Sequence, residues 1–528
     1  MVEKISNFIN SRNSVRGASI ILVITMTLSN VLGLLRDHFL AGKIPTAELD
    51  IYFAAFRLPD LIFNFLILGA ISSAFIPVFC GFIEKKQMEE GWRMVNILLN
   101  ISVILLSFAA VVMFFLMPAL TPLVVPDFDA QKMAEVTKLS RLLMLTPIFF
   151  SVSYIFSGVL NSYKRFVSYA IAPLIYNLSI IVGILTVSDE LGILGVVYFV
   201  ILGSILHFMV QIPATVKLGF KYKAVIDLKD KAVRRIVKLM LPRTLGMGVN
   251  QIMLLIYTAI ASTLAVGSIS AFNFSNNIQT MPIVVFGTSF ATAVFPTLTR
   301  AIAAKDNEKF SFYLNRSIRA IAFILIPMSA LFILLRAQIV RLILGSGEFA
   351  WSDTKATAMA LGFFSLSLFA QGAIPLLARA FYALKNTKTP MYTSIATVIV
   401  SVFFGYYLSG RMGVAGLALA FSIGSYFNAI VLYILLSKQY NFSLEKKFFY
   451  VILKITIVSF ITAVFVWLTM NLAAEIVDMQ TFWGIFEQFT ISFVMGAFIY
   501  FALTYMMRFE ELTWVIRRKI NEPSKEND

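Results

Sequence analysis

The chain has 528 residues, of which 59% are hydrophobic and only 14% charged, and its mean hydropathy is +0.84. Soluble domains carry about 25% charged residues, so this composition excludes an ordinary soluble protein. The formal charge of +16 would suit a nucleic-acid-binding protein, but Lys and Arg lie in short loops between apolar runs and not along one soluble face. We therefore expect no nucleic acid partner. A single cysteine, Cys80, two histidines and no metal-ligand spacing predict no metal and no cofactor.

Apolar runs of about 18 or more residues, enough to cross a hydrocarbon core of roughly 30 Å, set the predicted architecture. Six runs precede a basic stretch, near 17–36, 50–83, 93–119, 139–161, 168–187 and 192–216. Eight follow it, near 237–264, 268–299, 315–345, 355–384, 389–409, 412–437, 448–472 and 483–507. We number these predicted spans 1 to 14 in chain order. The sequence thus predicts an all-α polytopic membrane protein with about 14 transmembrane helices.

Loop charge predicts the orientation, because Lys and Arg accumulate in short loops on the cytoplasmic side. Basic residues follow the even-numbered spans, as with Lys85 and Lys86 after span 2 and Lys305 and Lys309 after span 8. The opposite loops are poor in basic residues, and the loop at 188–191 reads SDEL. Both termini are therefore predicted to be cytoplasmic.

An internal repeat divides the chain. SAFIPV at 73–78 recurs as TAVFPT at 292–297, and VLNSYKR at 159–165 recurs loosely as AFYALKN at 380–386, at offsets of 219 and 221 residues. Transporters often duplicate a half-bundle, so we predict two pseudo-symmetric six-helix lobes plus two C-terminal helices. The predicted domains are an N-lobe (1–216), a basic cytoplasmic linker (217–238), a C-lobe (239–440) and a C-terminal part (441–528) with spans 13 and 14 and a cytoplasmic tail.

Strongly polar residues concentrate on the first two spans of each predicted lobe. A charge at bilayer depth costs a few kcal/mol, so such residues usually face a bundle interior or a water-filled cavity. The candidate site residues are Arg36, Asp37, Asp50, Arg57, Arg243, Asn250, Gln251, Asn276 and Asn277. Two other interpretations stay open: Arg36 and Asp37 can snorkel to the headgroups, and each Asn can join neighbouring helices structurally. The sequence has no HExxH, GxSxG or Gly-rich phosphate loop, so we predict a transporter and not an enzyme.

Six motifs carry a resemblance to a known family. They are GLLRD (33–37), LDIYFAAFRLPD (49–60), GAISSAFIPV (69–78), LNSYKRF (160–166), APLIYN (172–177) and RAFYALKNTKTP (379–390). With the predicted spans, they resemble the MurJ/MviN-type lipid II flippases of the multidrug/oligosaccharidyl-lipid/polysaccharide exporter superfamily. The resemblance implies a flippase of the bacterial inner membrane. Such a protein moves the undecaprenyl-pyrophosphate-linked peptidoglycan precursor, lipid II, from the cytoplasmic to the outer leaflet by alternating access of two lobes.

The resemblance implies a cationic central cavity, and Arg36, Asp37 and Asp50 match the family's pattern by position. Our hypothesis is that Arg36, Arg57 and Arg243 bind the pyrophosphate in that cavity, and that Asp37 and Asp50 orient those arginines or sense a coupling cation. The residues that we expect to hydrogen-bond the saccharide or peptide are Asn250, Gln251, Asn276 and Asn277. Spans 13 and 14 would form a groove for the polyprenyl tail. The energy source of such a flippase stays open, since a membrane potential, a Na⁺ gradient and an H⁺ gradient are all compatible with these residues.

The chain departs from the family's pattern at four positions where the resemblance implies arginine. These positions hold Asn30, Phe63, Asn64 and Asn277. A pyrophosphate is held best by bidentate arginine contacts, so a flippase or exporter for another lipid-linked polysaccharide precursor stays an alternative. A drug exporter should prefer an acidic cavity, and the arginines speak against it. The other alternative is a non-transporting membrane scaffold for cell-wall synthesis proteins. Membrane lipid is an expected partner whether the chain is a flippase, an exporter or a scaffold. Cell-wall synthesis proteins are expected partners of a flippase as well as of a scaffold.

Overall fold

The computed structural model describes residues 15–65, 75–440, 442 and 447–517, without the side chains of 15–24, 26, 239, 241–247, 513 and 515–517. All regular structure in these residues is helical. The middle of predicted span 2, including Gly69 and Ser73 of the repeat motifs, lies outside the described residues.

In the described residues, ten helices precede the basic linker or end at its start. They are α1 (Val15–Lys43), α2 (Thr46–Ala55), α3 (Arg57–Phe63), α4 (Ile76–Glu84), α5 (Met88–Val124), α6 (Ala130–Leu143), α7 (Thr146–Ser162), α8 (Phe166–Ala170), α9 (Ala172–Met209) and α10 (Ile212–Lys217). Prolines in the first turn begin several of them, as with Pro147 in α7 and Pro173 in α9. Proline suits this position because its missing N–H would have no partner inside the helix. Helices α2 and α3 are separated at Phe56, and Pro59 in the first turn of α3 lacks the N–H that would bond to the carbonyl of Ala55.

The described residues from the linker onward form twelve α-helices and a π-helix, of which the first begins inside the predicted linker. They are α11 (Lys231–Ser262), α12 (Ser268–Pro282), the π-helix Ile283–Thr288, α13 (Ser289–Ala303), α14 (Asn307–Leu334), α15 (Arg336–Leu344), α16 (Trp351–Ser365), α17 (Leu368–Ala383), α18 (Lys388–Met412), α19 (Val414–Tyr440), α20 (Lys447–Ile476), α21 (Phe482–Met506) and α22 (Glu510–Arg517). Within the described residues, nine helical stretches are long and apolar enough to cross a membrane, or ten if the bent pair α16 and α17 is one span. The all-α membrane fold is confirmed, and the count of fourteen spans stays a prediction.

Helix α9 reverses its direction at one glycine. Gly192 has φ +55° and ψ −145°, outside the helical region and accessible mainly to glycine. The hydroxyl of Ser179 donates to the carbonyl of Phe199 at 2.9 Å. In a straight helix, residues twenty apart would be about 30 Å apart. The two legs of α9 are therefore antiparallel, as expected for predicted spans 5 and 6, and the reversal follows the SDEL sequence.

A π-helical backbone recurs at positions related by the predicted repeat. Asn64 and Phe65 are π-helical, and at the offset of 219 residues they correspond to 283 and 284 in the π-helix of the second half. Gly287 allows this π-helix to lie against α17, because a Cβ atom at Gly287 would be 2.6 Å from the Cα of Gly372. The two halves thus share a local backbone distortion as well as sequence motifs.

The described residues form two compact units. The first contains the chain up to Asn277 together with 343–357 and 394–420, and the second contains 278–342, 358–393 and the chain from Phe421. In the first unit, Phe79, Phe156 and Phe220 belong to a core that joins α4, α5, α7 and the linker. In the second unit, α13, α14, α17, α19 and the start of α20 contribute to an aliphatic core with buried phenylalanines. The predicted domain boundaries at 216, 238 and 440 stay a prediction.

Candidate functional site

The first unit brings Arg36 and Asp37 of α1 together with two asparagines from other helices. The Arg36 guanidinium donates to Asp37 Oδ1 from Nη2 at 2.7 Å and from Nε at 3.1 Å, and Nη1 donates to Asn177 Oδ1 of α9 at 3.2 Å. On its other side, Asp37 Oδ2 accepts from Nδ2 of Asn277 in α12 at 2.9 Å. The Asp37 side chain is 2% exposed and that of Arg36 is 21% exposed. This ion pair therefore links α1, α9 and α12 through side chains alone.

Arg57 of α3 forms a second bridge, to α11 and α12. Its Nε donates to Thr258 Oγ1 at 2.7 Å and its Nη2 donates to Asn273 Oδ1 at 2.6 Å. The Arg57 residue is 9% exposed. Asn273 and Asn277 are four residues apart and therefore lie on the same face of α12. One face of α12 thus receives Arg57 at one turn and Asp37 at the next.

Asp50 of α2 binds the start of α12. Its carboxylate accepts from the backbone N–H groups of Gly267 and Ser270, each at 2.7 Å, and from the Ser270 hydroxyl at 2.8 Å. The first N–H groups of a helix have no partner within the helix, and a carboxylate also favours the positive end of the helix dipole. Asp50, which is 4% exposed, therefore caps α12 from a different segment of the chain.

The remaining candidate residues are placed less closely. Asn250 is exposed and Gln251 is half-buried on α11, and Asn276 is half-buried on α12. No hydrogen bond in the described part of the chain joins Asn250 or Gln251 to Arg36 or Arg57. The side chain of Arg243 lies outside the described residues.

Each arginine of this cluster has a carboxylate nearby, since Arg36 pairs with Asp37 and Arg57 interacts electrostatically with Asp60. An anion at the cluster would therefore be held by N–H donors more than by excess charge. A guanidinium has five N–H donors. The described hydrogen bonds use three from Arg36 and two from Arg57. Both side chains thus retain donors of the kind that bind phosphate oxygens.

Three partners of the charged residues were not among the candidates. Asn177 lies in the APLIYN motif, Thr258 lies seven residues after Gln251, and Asn273 lies four residues before Asn277. The helical period could have suggested Thr258 and Asn273, because residues four or seven apart share a helix face. Asn177 had no such signal, since its partner Arg36 is 141 residues away in the chain.

Comparison with known families decides the class of this protein. The family model of lipid II flippase MurJ matches residues 45–487. The chain belongs to the MurJ family. The resemblance seen in the motifs is thus confirmed, and with it the predicted transporter class. Together with the apolar helices, membership of the MurJ family makes the chain a multi-pass protein of the bacterial inner membrane.

Relatives in the MurJ family match most of the chain. The lipid II flippase MurJ of Burkholderia cenocepacia is 27% identical over 427 residues, which are 78% of this chain and 82% of that protein. The probable lipid II flippase MurJ of Haemophilus influenzae is 29% identical over 446 residues, covering 80% and 87% respectively.

Solved structures of the superfamily share the fold. A lipid II flippase MurJ in an inward closed conformation matches with a TM-score of 0.77 at 24% identity, over 93% of this chain and all of that chain. A multidrug resistance transporter of the MATE family, in an inward-facing conformation, matches with a TM-score of 0.68 at 16% identity, over 80% and 98%. An outward-facing conformation of a MATE family transporter matches with a TM-score of 0.57 at 18% identity, over 81% of this chain and 97% of that chain.

Proposed function

We propose that this chain translocates lipid II from the cytoplasmic to the outer leaflet of the bacterial inner membrane for cell-wall synthesis. The match to the MurJ family over residues 45–487 carries this proposal. Alternating access is its mechanism, in keeping with the inward-facing and outward-facing MATE structures that share the fold.

In this proposal Arg36 and Arg57 bind the pyrophosphate, and Asn276 and Asn277 hydrogen-bond the saccharide or peptide. Both arginines are held by other side chains and keep N–H donors, so binding would not require a large rearrangement of either group. Arg243, Asn250 and Gln251 extend the site along α11. Asp37 orients Arg36, and Asp50 holds the start of α12 against α2.

Orientation, energy source and protein partners complete the proposal. Both termini are cytoplasmic, which the alternation of basic loops supports. The N-lobe and C-lobe move against each other, and the groove of spans 13 and 14 carries the polyprenyl tail. Transport is driven by the membrane potential or by a gradient of Na⁺ or H⁺, and cell-wall synthesis proteins receive the product.

Reconstitution into vesicles tests the proposal. Vesicles with the protein should move lipid II labelled on its head group to the opposite leaflet faster than empty vesicles, as measured by an impermeant quencher. Imposing a potential, a Na⁺ gradient or a pH gradient in turn identifies the energy source. The lipid II assignment fails if the rate equals that of empty vesicles, or if a teichoic-acid precursor moves and lipid II does not.

Charge reversal separates a flippase from a scaffold. Arg36→Glu should lower the initial rate about tenfold or more, because a carboxylate replaces a charge-assisted donor to phosphate. Arg411→Glu makes the same change on an exposed residue at the end of α18 and should leave the rate unchanged. A protein that inserts normally and translocates equally well with either substitution does not use Arg36 for transport.

A further inference from the structure

The linker after α10 contains an extended segment, 220–226, that runs along the first turns of α5. Asn96 and Asn100 of α5 hold it. Nδ2 of Asn96 donates to the carbonyl of Lys221 at 3.0 Å, and Oδ1 of Asn96 accepts from the backbone N–H of Lys223 at 2.9 Å. Nδ2 of Asn100 donates to the carbonyls of Lys223 and Val225 at 3.0 and 2.9 Å. Asn96 thus pairs with the segment as a neighbouring strand would, and Asn100 adds two hydrogen bonds to its carbonyls.

The spacing explains why this pairing works. Asn96 and Asn100 are one helical turn apart, about 6 Å along α5. Two residues of an extended chain cover about 6.6 Å, so successive asparagines meet alternate peptide groups. Asn96 and Asn100 are 1% and 9% exposed, and Tyr222 Oη also donates to Asn100 Oδ1 at 2.9 Å. The segment is therefore fixed in register.

Because side chains of an extended segment alternate, its two faces differ. The odd-numbered residues Lys221, Lys223 and Val225 line a cavity of about 610 Å³. The even-numbered residues line a separate cavity of about 340 Å³, and they are Phe220, Tyr222, Ala224 and Ile226. Both volumes fall in the range of small-molecule sites.

The two cavities have different chemistry and lie at different heights on α5. The larger cavity adds Glu89, Trp92, Arg93 and Asn96 to the lysines. The smaller cavity is mainly apolar and adds Leu99, Val103 and Ile104 of α5 and Val152 and Phe156 of α7. Arg93 and Val103 are ten residues apart, which is about 15 Å along the helix. A charged cavity near the helix start is therefore followed by an apolar cavity deeper along the same helix.

The charges of the larger cavity fit one anion. Arg93 is paired with Asp227 at 3.1 Å, and Glu89 offsets one of the two lysines. Three cations and two carboxylates leave a single positive charge. One phosphodiester would neutralise it, and its acyl chain would have to pass the edge of the segment and extend about 15 Å along α5 to the apolar cavity on the other face. A free phosphate would use only the first cavity.

We propose that the linker segment 220–226 and α5 form a binding site for one anionic phospholipid. The phosphate lies among Arg93, Lys221 and Lys223, and an acyl chain lies against Tyr222, Ile226 and Val103. The segment is thereby held at the membrane surface, next to the start of α11. This site is separate from the Arg36 and Arg57 cluster, and the inference does not rest on the identity of the transported lipid.

Native mass spectrometry of the full-length protein tests the site, with phosphatidylglycerol and phosphatidylcholine as probes. The wild-type protein should bind one phosphatidylglycerol about tenfold or more tightly than phosphatidylcholine. The double substitution Lys221→Gln and Lys223→Gln should remove most of that preference, since each basic residue near an anionic surface contributes about fivefold. Lys229→Gln with Lys231→Gln removes the same charge from the same linker outside both cavities, and should keep the preference.

The apolar cavity is tested separately. Val103→Trp, which narrows it, should weaken phosphatidylglycerol binding without changing the binding of glycerol 3-phosphate. The proposal is overturned if both lysine pairs reduce binding equally, because the linker would then attract anionic lipid without a site. It is also overturned if phosphatidylcholine binds equally well, or if glycerol 3-phosphate competes at the concentration of the lipid, which would indicate a site for free phosphate only.

Discussion

At the scale of single residues, the two carboxylates that bind Arg319 offer a direct comparison of buried and exposed ion pairs. Arg319 of α14 lies 2.6 Å from Glu511 and 3.1 Å from Glu510, both in α22. The Glu511 side chain is 2% exposed and that of Glu510 is 61% exposed. The Arg319 guanidinium also lies over the Trp514 ring, 5.0 Å from its centre. Glu511 is therefore expected to fix α22 to α14, and Glu510 to contribute little.

Glu511→Gln should destabilise the protein by about 2 kcal/mol, because Arg319 loses its buried charged hydrogen-bond partner and keeps only the exposed Glu510. Glu510→Gln should cost below about 1 kcal/mol, as exposed pairs usually do. The thermal unfolding midpoints of the purified variants in the same detergent measure the difference. Equal midpoints for the two variants would show that burial of Glu511 does not determine the strength of this contact.

At the scale of elements, the cap that Asp50 places on α12 joins two segments 217 residues apart in the chain. Asp50→Ala should speed hydrogen exchange at Gly267 and Ser270, because their N–H groups lose the acceptor. Asp50→Asn should have a smaller effect, since the amide oxygen can still accept one N–H. Mass-spectrometric hydrogen exchange of the peptide around 265–275 measures both.

Asp230 provides the control for this cap. It accepts from the N–H groups of Ala232 and Val233 at the start of α11, at 2.9 and 3.0 Å. Asp230→Ala should therefore speed exchange at 232 and 233 and leave 267 and 270 unchanged. If Asp50→Ala accelerates exchange across the whole first unit equally, its effect is general destabilisation and not loss of a cap.

The elements show how far the sequence predicts the structure. Apolar runs predicted the helical membrane fold, because the hydrophobicity of each segment is a local property of the sequence. The sequence could not pair Arg36 with Asn177 or Asp50 with Ser270, since those contacts join segments 141 and 220 residues apart. Such pairs depend on how the helices pack, and periodicity within one helix carries no information on that.

At the scale of the whole molecule, the alternation of basic loops predicts on which side of the membrane each loop lies. The number of spans between two loops is then even if they lie on the same side and odd if they lie on opposite sides. Cys80 is the only cysteine, so Cys80→Ser gives a background without thiols for single-cysteine labelling. Glu190→Cys and Glu475→Cys should react with an impermeant maleimide in intact spheroplasts. Lys229→Cys and Lys305→Cys should react only after permeabilisation.

All four native residues are exposed, so burial does not explain a difference in labelling between them. Five predicted spans lie between 305 and 475, and an odd number places these positions on opposite sides. If positions 305 and 475 were both labelled in intact spheroplasts, an even number of spans would lie between them, and the fourteen-span topology would be wrong.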